Sequence, residues 1–392
     1  MSVVAVDGGD LPLGGGLLAL LRPALSLLKP GGQLAILSSA PSVAQDLPAW
    51  CRVEHHEYLC GDAQSDGRTS HRIARGQLGV ARGPESDALP ERADPATGFA
   101  PRGAAVEPGG PAYPFTLLER DHVIPPEVRE LYEQAVSSQW IAERDVPWRA
   151  VKPLPAALER ALGQIMTFLA ENELSALYVP SNFLPKIHPA YAEVAMFLAT
   201  QLADEARHID VFLRRARAGG GHLGISSVTT SQSLLSLLEL TDFTEAAFLL
   251  SVLGEGTFLD LLKFVERFAP DEATLVLAQK ARVDETRHVH FGLAHVRHAL
   301  GHDASLYGRL EAAVRKRAAT MASAGGVPAP LADALTIYAA GGDDPRGVKK
   351  GYDAFRELLG TMHDNRVKRL EHAGFSADQA KTLSDLHTPN FM

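Results

Sequence analysis

One five-residue string occurs twice in the sequence and carries side chains that bind metal ions. It reads D-E-A-R-H at 204–208 and D-E-T-R-H at 284–288. Glu and His are three positions apart in each copy, so on a helix they lie on one face and can bind one ion together. A single pair of this kind is common on solvated faces, whereas two near-identical copies favour a centre with two ions. The predicted ligands from the copies are Glu205, His208, Glu285 and His288.

Two further carboxylates complete the predicted ligand set. Glu255 lies 30 positions before Glu285, and Glu173 lies 32 before Glu205, which allows a helix, a turn and an antiparallel return. A carboxylate on the apolar face around Glu255 needs a compensating charge. That face consists of Phe248, Val252, Phe258, Leu259 and Leu262. Glu171 is the alternative to Glu173, which is preferred because its helical neighbours are apolar. These neighbours are Met166, Leu169 and Leu177.

Charge balance supports this set, because four carboxylates neutralise two divalent ions and two neutral imidazoles complete the coordination. Asp204 and Asp284 are either surface acids or, as we prefer, acceptors that fix the outer nitrogen of a ligand His. Arg207 and Arg287 lie on the opposite side of the helix from the Glu two positions before, which predicts a structural ion pair. The remaining nearby histidines are predicted to be solvated or packed. They are His290, His295 and His298.

Long segments with a 3.6-residue apolar period must position these side chains. They begin near residue 125 and predict an all-helical domain. Breaks rich in Pro and Gly separate them at 180–189, 219–224 and 325–330. The four site-bearing helices are predicted at about 154–178, 189–218, 243–267 and 271–299. The C-terminal third is predicted to be helical too, with a helix pair and a polar tail over 361–392.

The first 82 residues have a different pattern, in which short apolar runs alternate with helical stretches in the order β-α-β-α-β-β. Residues 83–112 are rich in Gly, Pro and Ala without periodicity, which predicts a flexible linker. We therefore expect a small α/β domain at 1–82, a linker at 83–112 and a helical domain at 113–392. The predicted fold class is mainly α.

Composition narrows the class of protein. A chain of 392 residues with 46% apolar and 22% charged residues is typical of a globular protein with more than one domain. The net charge of −9 argues against a broad nucleic-acid surface. No apolar run is long enough to span a membrane, and no export signal is expected. Cys51 and Cys60 are too few for a disulfide framework, which predicts a cytoplasmic location.

The ligand pattern resembles that of the ferritin-like di-iron carboxylate proteins, in which a Glu and a Glu-x-x-His come twice from a four-helix core. The resemblance covers about 125–320. The doubled string is most similar to that of bacterial multicomponent monooxygenases, ribonucleotide reductase small subunits and their oxidase relatives. The resemblance implies a ferritin-like bundle, two Fe ions or a Mn/Fe pair, and O2 as co-substrate.

Three positions depart from branches of that superfamily. Phe212 stands where the reductase small subunits have a radical-forming Tyr, which disfavours a tyrosyl radical. Leu259 stands where the multicomponent monooxygenases have a Thr, and Ala281 where arylamine N-oxygenases have an additional His. The chain thus resembles the superfamily more than any one of these branches.

The N-terminal part resembles the TusA-like sulfur-carrier fold through its KPG turn and its DLPAWC helix. That fold presents Cys-Pro-x-Pro at its first helix, and here the stretch is Leu11-Pro12-Leu13-Gly14. Without that thiol the usual persulfide transfer is excluded. We predict a docking or substrate-presenting role, with a degenerate relic as the alternative.

The sequence therefore predicts a non-haem di-iron oxygenase or oxidase that hydroxylates, N-oxygenates or desaturates a small organic substrate. Electrons are expected from a reductase or ferredoxin, because the chain has no flavin, nucleotide or iron–sulfur motif. Nucleic acid and membranes are not expected partners, and a homodimer is compatible with this class. The alternatives are an iron-handling ferroxidase, an oxidase similar to ribonucleotide reductase small subunits, and a non-catalytic scaffold.

Overall fold

The chain forms two compact units. A computed structural model describes residues 4–76, 88–106, 110–322 and 327–387. One unit comprises Met1–Ala88 and Ala96–Tyr113, and the other comprises Leu89–Pro95 and Pro114–Met392. The domain limits at 82 and 112 and the flexibility of the linker stay predictions, and residues 83–87 and 107–109 of that linker lie outside the described residues.

The first unit is a small α/β fold with the predicted element order. Its elements are β1 (Val4–Gly9), α1 (Leu17–Ser26), β2 (Gln33–Ser38), α2 (Val43–Val53), β3 (Glu57–Ala63) and β4 (Thr69–Ala74). The strand order in the sheet is β1-β2-β4-β3. β1 and β2 are parallel, whereas β4 runs antiparallel to both β2 and β3. The β-α-β-α-β-β prediction is confirmed.

Apolar periodicity explains how this unit packs. Buried residues recur every four positions on α1 and α2, and every two positions on β2. The two helices therefore cover one face of the sheet. The residues of this core include Leu17, Leu21, Leu25, Leu34, Ile36, Val43, Leu47, Cys51 and Ile73. The resemblance to the TusA-like fold stays a prediction.

The second unit is almost entirely helical. Its first helices are α3 (Val128–Ser137), α4 (Ala142–Asp145), α5 (Ala156–Ser181), α6 (Ala192–Arg217), α7 (Val228–Leu238) and α8 (Phe243–Ala247). A π-helical segment, Phe248–Glu255, connects α8 to α9 (Gly256–Arg267). The chain continues through α10 (Glu272–His302), α11 (Leu306–Ala322), α12 (Ala329–Ala340), α13 (Pro345–His372) and α14 (Ala377–Leu386). The mainly α fold class is confirmed.

The four site-bearing helices lie close to their predicted positions, with one difference. The stretch predicted as a uniform helix at 243–267 is divided into α8, the π-helical segment and α9. The C-terminal helix pair is also longer than predicted, because α13 begins at Pro345 rather than near residue 361. The polar tail at 388–392 lies outside the described residues.

The site-bearing helices form two antiparallel pairs. In the α5–α6 pair, Glu173 lies near His208 while the earlier Glu159 lies near the later Arg215, which fixes the opposite directions. α9 packs against α10 in the second pair, and α6 also packs against α10. All four helices contribute to one hydrophobic core. Within the described residues, no helix combines the length and the apolar character needed to cross a membrane.

A buried arginine ties three of these helices together at one end. Arg215 of α6 donates to Asp271 (2.8 Å) and to the Thr274 hydroxyl (2.7 Å), and it pairs with Glu159 of α5 at 3.3 Å. Asp271 also accepts from the Thr274 amide, so it caps the first turn of α10. The ends of α5, α6 and α10 are thereby held in register two turns away from His208.

Candidate metal centre

The six predicted ligands lie together in the middle of the four-helix core. Two groups of side chains can each offer ligand atoms to one ion, with all atoms of a group within 4.8 Å of one another. The first group is Glu173, Glu205, His208 and Glu285, and the second is Glu205, Glu255, Glu285 and His288. All six residues are buried. Buried Glu and His clusters that can hold two metal ions are therefore present.

Glu205 and Glu285 belong to both groups because each carboxylate spans the two imidazoles. Glu205 places Oε2 at 3.1 Å from His208 Nδ1 and Oε1 at 3.0 Å from His288 Nδ1. Glu285 places Oε1 at 3.2 Å from His208 Nδ1 and Oε2 at 3.5 Å from His288 Nδ1. Glu173 and Glu255 lie at the two ends, so each of them can serve one ion only. This division between bridging and terminal carboxylates was not predicted from the sequence.

Each histidine is oriented by the aspartate of the other string. His208 Nε2 lies 3.2 Å from Asp284 Oδ2, and His288 Nε2 lies 3.2 Å from Asp204 Oδ2. An Nε2–H that donates to a carboxylate leaves the Nδ1 lone pair free to face the centre. Each aspartate therefore lies beside the outer nitrogen of a histidine on the other helix, so the pairing between α6 and α10 is crossed.

Two arginines close this outer layer. Arg287 lies 3.2 Å from Asp204 and also pairs with Asp284 of its own string. Arg207 pairs with Asp204 and lies 3.4 Å from Asp284. The predicted ion pairs are therefore present, and each arginine bridges both aspartates. Burial opposes a charge on Asp204 and Asp284, yet the neighbouring histidines and arginines lower the pKa of both carboxyl groups. The positive charge of the arginines thus helps to keep the two aspartates ionised.

Two neighbours of the centre were not found from the sequence. Trp140, which precedes α4, donates from Nε1 to Asp284 at 2.7 Å and stacks on His208 with ring centroids 6.4 Å apart. Gln201 donates from Nε2 to Glu255 Oε1 at 3.1 Å. Gln201 lies one helical turn before Glu205, so the spacing could have indicated that the two side chains share a face of α6. Trp140 lies far away in the sequence and gave no such signal.

The π-helical segment determines how Glu255 enters the centre. It widens the helix over Phe248–Glu255, and Glu255 is its last residue. The next residue is Gly256, and a larger residue would not fit there because the Arg369 side chain occupies the space. A Cβ at this position would lie 2.6 Å from Arg369 Nε. Glu255 is thus supported by a close contact between α9 and α13 as well as by Gln201.

Several atoms of the centre make no hydrogen bond of acceptable geometry among the described residues, although some of them lie close to one another. They are Glu173 Oε1, Glu205 Oε1, Glu255 Oε2, both carboxylate oxygens of Glu285, and His288 Nδ1. Buried polar atoms are normally paired, so such a group of oxygens and one nitrogen fits a cation ligated between them. Oxygen and imidazole ligands suit iron and manganese. On this test the residues fit two divalent ions.

The electrostatics of the centre agree with this fit. Burial raises the pKa of Glu173 and Glu255 well above the ordinary range, and the carboxylates of Glu285 and Glu205 raise it further. Burial opposes a charge on His208 and His288, yet the surrounding carboxylates raise the pKa of both imidazoles. The carboxylates therefore draw positive charge into the centre, and bound metal ions can supply it in place of protons.

The alternative ligand Glu171 and the three departing positions differ in burial and contacts. Glu171 is half-buried and accepts from Ser226, outside both ligand groups. Phe212 packs with its ring centroid 6.3 Å from that of His208. Ala281 is buried on α10, and Leu259 is half-buried on α9.

The three additional histidines lie outside the centre. His290 is exposed, and His295 is buried with Nε2 3.0 Å from the Thr244 hydroxyl. His298 is half-buried near the surface, where it forms a third group of potential ligands with Asp121 and His302. His290 is therefore solvated and His295 is packed in the core, as predicted.

Comparison with known proteins adds only general information. No family model matches the sequence, and no curated protein matches it. A mutant of an R2-like ligand-binding oxidase with an aerobically reconstituted Mn/Fe cofactor is 15% identical, and the match covers 67% of this chain and 94% of that chain with a TM-score of 0.44. A protein with aldehyde deformylating oxidase activity from Synechococcus is 17% identical over 58% of this chain and 96% of that chain, with a TM-score of 0.45. Sequence identity and structural similarity this low do not identify an activity.

Proposed function

We propose that the chain binds two iron ions in this centre, or a manganese and an iron ion, and that it is an O2-activating oxidase or oxygenase of a small organic substrate. The observation that carries the proposal is the pair of buried four-residue groups that share Glu205 and Glu285. Such ions, when bound, would supply the reduction of O2 and the oxidation of a substrate by hydroxylation, N-oxygenation or desaturation.

The protein side chains have separate tasks in this proposal. Glu173 and His208 would hold one ion, Glu255 and His288 the other, and the two central carboxylates would hold both. The four carboxylates balance the charge of two divalent ions, which permits the assembly in a buried core. This arrangement, with Glu plus Glu-x-x-His contributed twice from four helices, is that of the ferritin-like di-iron carboxylate proteins.

The surrounding residues would keep the ligand atoms in place and exclude water. Asp284 and Asp204 hold the Nε2–H of His208 and His288, so that Nδ1 stays available. Gln201 fixes Glu255 Oε1 and leaves Oε2 free. Trp140 and Phe212 cover His208 with aromatic rings. A rigid, dry environment of this kind is what a reactive metal centre requires.

The electron donor proposed is a separate reductase or ferredoxin, because the sequence contains no flavin, nucleotide or iron–sulfur motif of its own. Phe212 offers no phenol beside His208, which speaks against an oxidase that stores a tyrosyl radical at this position. A cytoplasmic location and a homodimer belong to the same proposal.

For the N-terminal unit we propose docking or substrate presentation rather than sulfur transfer. Leu11, which is half-buried, stands where the TusA-like fold presents its thiol. Cys51 is buried in the core of this unit, and burial raises the pKa of its thiol to about 11. A thiol that stays protonated inside a core is a poor nucleophile.

Metal analysis of the full chain tests the proposal. After anaerobic loading with Fe(II) and removal of free metal, we expect about two ions per chain, and a change in the visible spectrum when O2 is admitted. Glu173→Ala should lose at least one ion, while Glu171→Ala, two positions away, should retain both. Fewer than one ion per chain in the unaltered protein would exclude a dimetal enzyme. A growing ferric mineral instead of a defined spectrum would favour the ferroxidase alternative.

A further inference from the structure

A second polar site, which shares no residue with the metal centre, lies between α13 and the end of α14. It is a cavity of about 250 Å³. Two apolar side chains, Leu359 and Met362, form part of its wall. The polar residues that line it are His363, Arg366, Ser384, Asp385 and His387. The volume is ample for a bound group larger than a single water molecule.

Three of the polar residues are buried and have atoms without partners. Arg366 is 4% exposed, Ser384 1% and His387 5%. Arg366 Nε, Ser384 Oγ and His387 Nε2 have no hydrogen-bond partner among the described residues. The guanidinium makes one long hydrogen bond, from Nη1 to the Ser384 carbonyl at 3.5 Å. Three unsatisfied groups around one cavity require an explanation, since buried polar atoms are normally paired.

The unpaired groups carry an excess of positive charge. Within the described part of the chain, no carboxylate oxygen lies within the 4.0 Å ion-pair distance of Arg366. The Asp260 carboxylate is bonded by Asn365 (2.8 Å) and Arg369 (3.3 Å). Asp385, exposed at the rim, is bonded by Lys381 (2.6 Å) and His363 (3.1 Å).

The pKa of His387 reports the same excess of charge. Burial, followed by the charges of Arg366, Arg317 and Arg369, holds this pKa well below the ordinary value. The imidazole is therefore neutral and can donate from Nε2–H. An isolated buried guanidinium is costly, so a bound anion would stabilise it.

We propose that this cavity is a binding site for a small oxyanion, such as phosphate or the carboxylate group of a metabolite. Arg366 supplies the charge and a planar set of N–H donors that matches such oxygens. The Ser384 hydroxyl and His387 Nε2–H donate to further oxygens of the same group. Asp385 at the rim is paired with the cationic Lys381, which reduces its repulsion of a ligand at the buried end.

Titration of the full chain with inorganic phosphate and, separately, with acetate tests the proposal. Calorimetry at constant ionic strength, with chloride as the background anion, should show one saturable site for at least one of the two. Saturation by phosphate alone identifies a phosphate site, and saturation by acetate alone a carboxylate site. If neither anion saturates, the proposal is overturned. It is also overturned if binding appears only after residues 388–392 are removed, because the cavity is then not available in the intact chain.

Variants then test the residues. Arg366→Met should weaken anion binding at least tenfold, because it removes a charge-assisted contact. Ser384→Ala should weaken anion binding about three- to tenfold. This milder change keeps the proposal testable if the Arg366 variant is unstable. Arg356→Met, an exposed position on the same helix with the same loss of charge, is the matched control and should bind within twofold of the unaltered chain. Unchanged affinity in both Arg366→Met and Ser384→Ala would overturn the assignment.

Discussion

At the scale of single residues, the centre depends on the difference between terminal and bridging carboxylates. Glu255 serves only the group that contains His288, and Gln201 is its hydrogen-bond partner. Replacing Glu255 with Ala leaves one ion without a terminal carboxylate and leaves Gln201 unpaired. The two bridging carboxylates remain, so the effect should be largest on the ion beside His288.

We predict that Glu255→Ala loses one or both metal ions from the anaerobically loaded chain. Elemental analysis after gel filtration measures this directly. Glu245→Ala, at a half-buried position on α8, is the control and should keep the full metal content. Retention of both ions by Glu255→Ala would show that this carboxylate is not a ligand.

The crossed aspartates give a second prediction. Replacing Asp284 with Asn removes a charged acceptor from His208, which belongs to the other string. Loss of such an outer partner typically lowers metal affinity about 10- to 100-fold. Anaerobic calorimetry with Fe(II) should show this loss in one of the two binding events. Asp210→Asn, exposed on α6, should leave both events unchanged.

A double-mutant cycle can verify the crossing itself. The effects of Asp284→Asn and His208→Ala on Fe(II) affinity should not be additive, because either change alone already breaks the contact between the two side chains. The coupling of Asp284→Asn with His288→Ala should be weaker, because the outer partner of His288 is Asp204. Coupling to His288 in place of His208 would mean that each aspartate supports its own string.

At the scale of elements, Arg215 joins α5, α6 and the N-terminus of α10. Its guanidinium is fully buried between Glu159 and Asp271. Arg215→Met would leave these carboxylates buried without a cation. We expect the free energy of unfolding of the helical unit to fall by about 3–5 kcal/mol, which is typical of a broken buried ion pair.

Urea unfolding followed by far-UV circular dichroism measures this loss. Arg217→Met is the matched control, because Arg217 is exposed two positions later on the same helix. Its effect should stay within about 0.5 kcal/mol. Equal stability of the two variants would show that the Arg215 network contributes no net stabilisation.

The elements also show what the sequence could and could not predict. Residues three or four apart on one helix share a face, so the six candidate ligands and their four helices could be found from spacing together with the apolar faces around Glu173 and Glu255. The π-helical segment could not, because FLLSVLGE is apolar almost throughout and one widened turn leaves no distinct pattern in such a run. Trp140 and the crossed aspartates could not either, since their contacts join positions 76 to 144 residues apart.

At the scale of the whole molecule, the described residues of the two units form separate hydrophobic cores, and the candidate metal centre lies in the helical unit. A ligand stabilises the state that binds it, by about 2.7 kcal/mol at a free concentration of 100 times Kd. Metal loading should therefore stabilise the helical unit and leave the α/β unit unchanged.

Hydrogen exchange of the full chain, with and without anaerobic Fe(II), resolves this difference. Peptides from α5, α6, α9 and α10 should exchange more slowly in the loaded protein, because their opening must release the metal. Peptides from β1 to β4 should exchange at the same rate. Glu255→Ala should show a smaller metal-dependent slowing, since it lacks a ligand. Equal slowing of hydrogen exchange in both units would mean that metal binding stabilises the α/β unit too. The two units would then not be energetically independent, although their cores are separate.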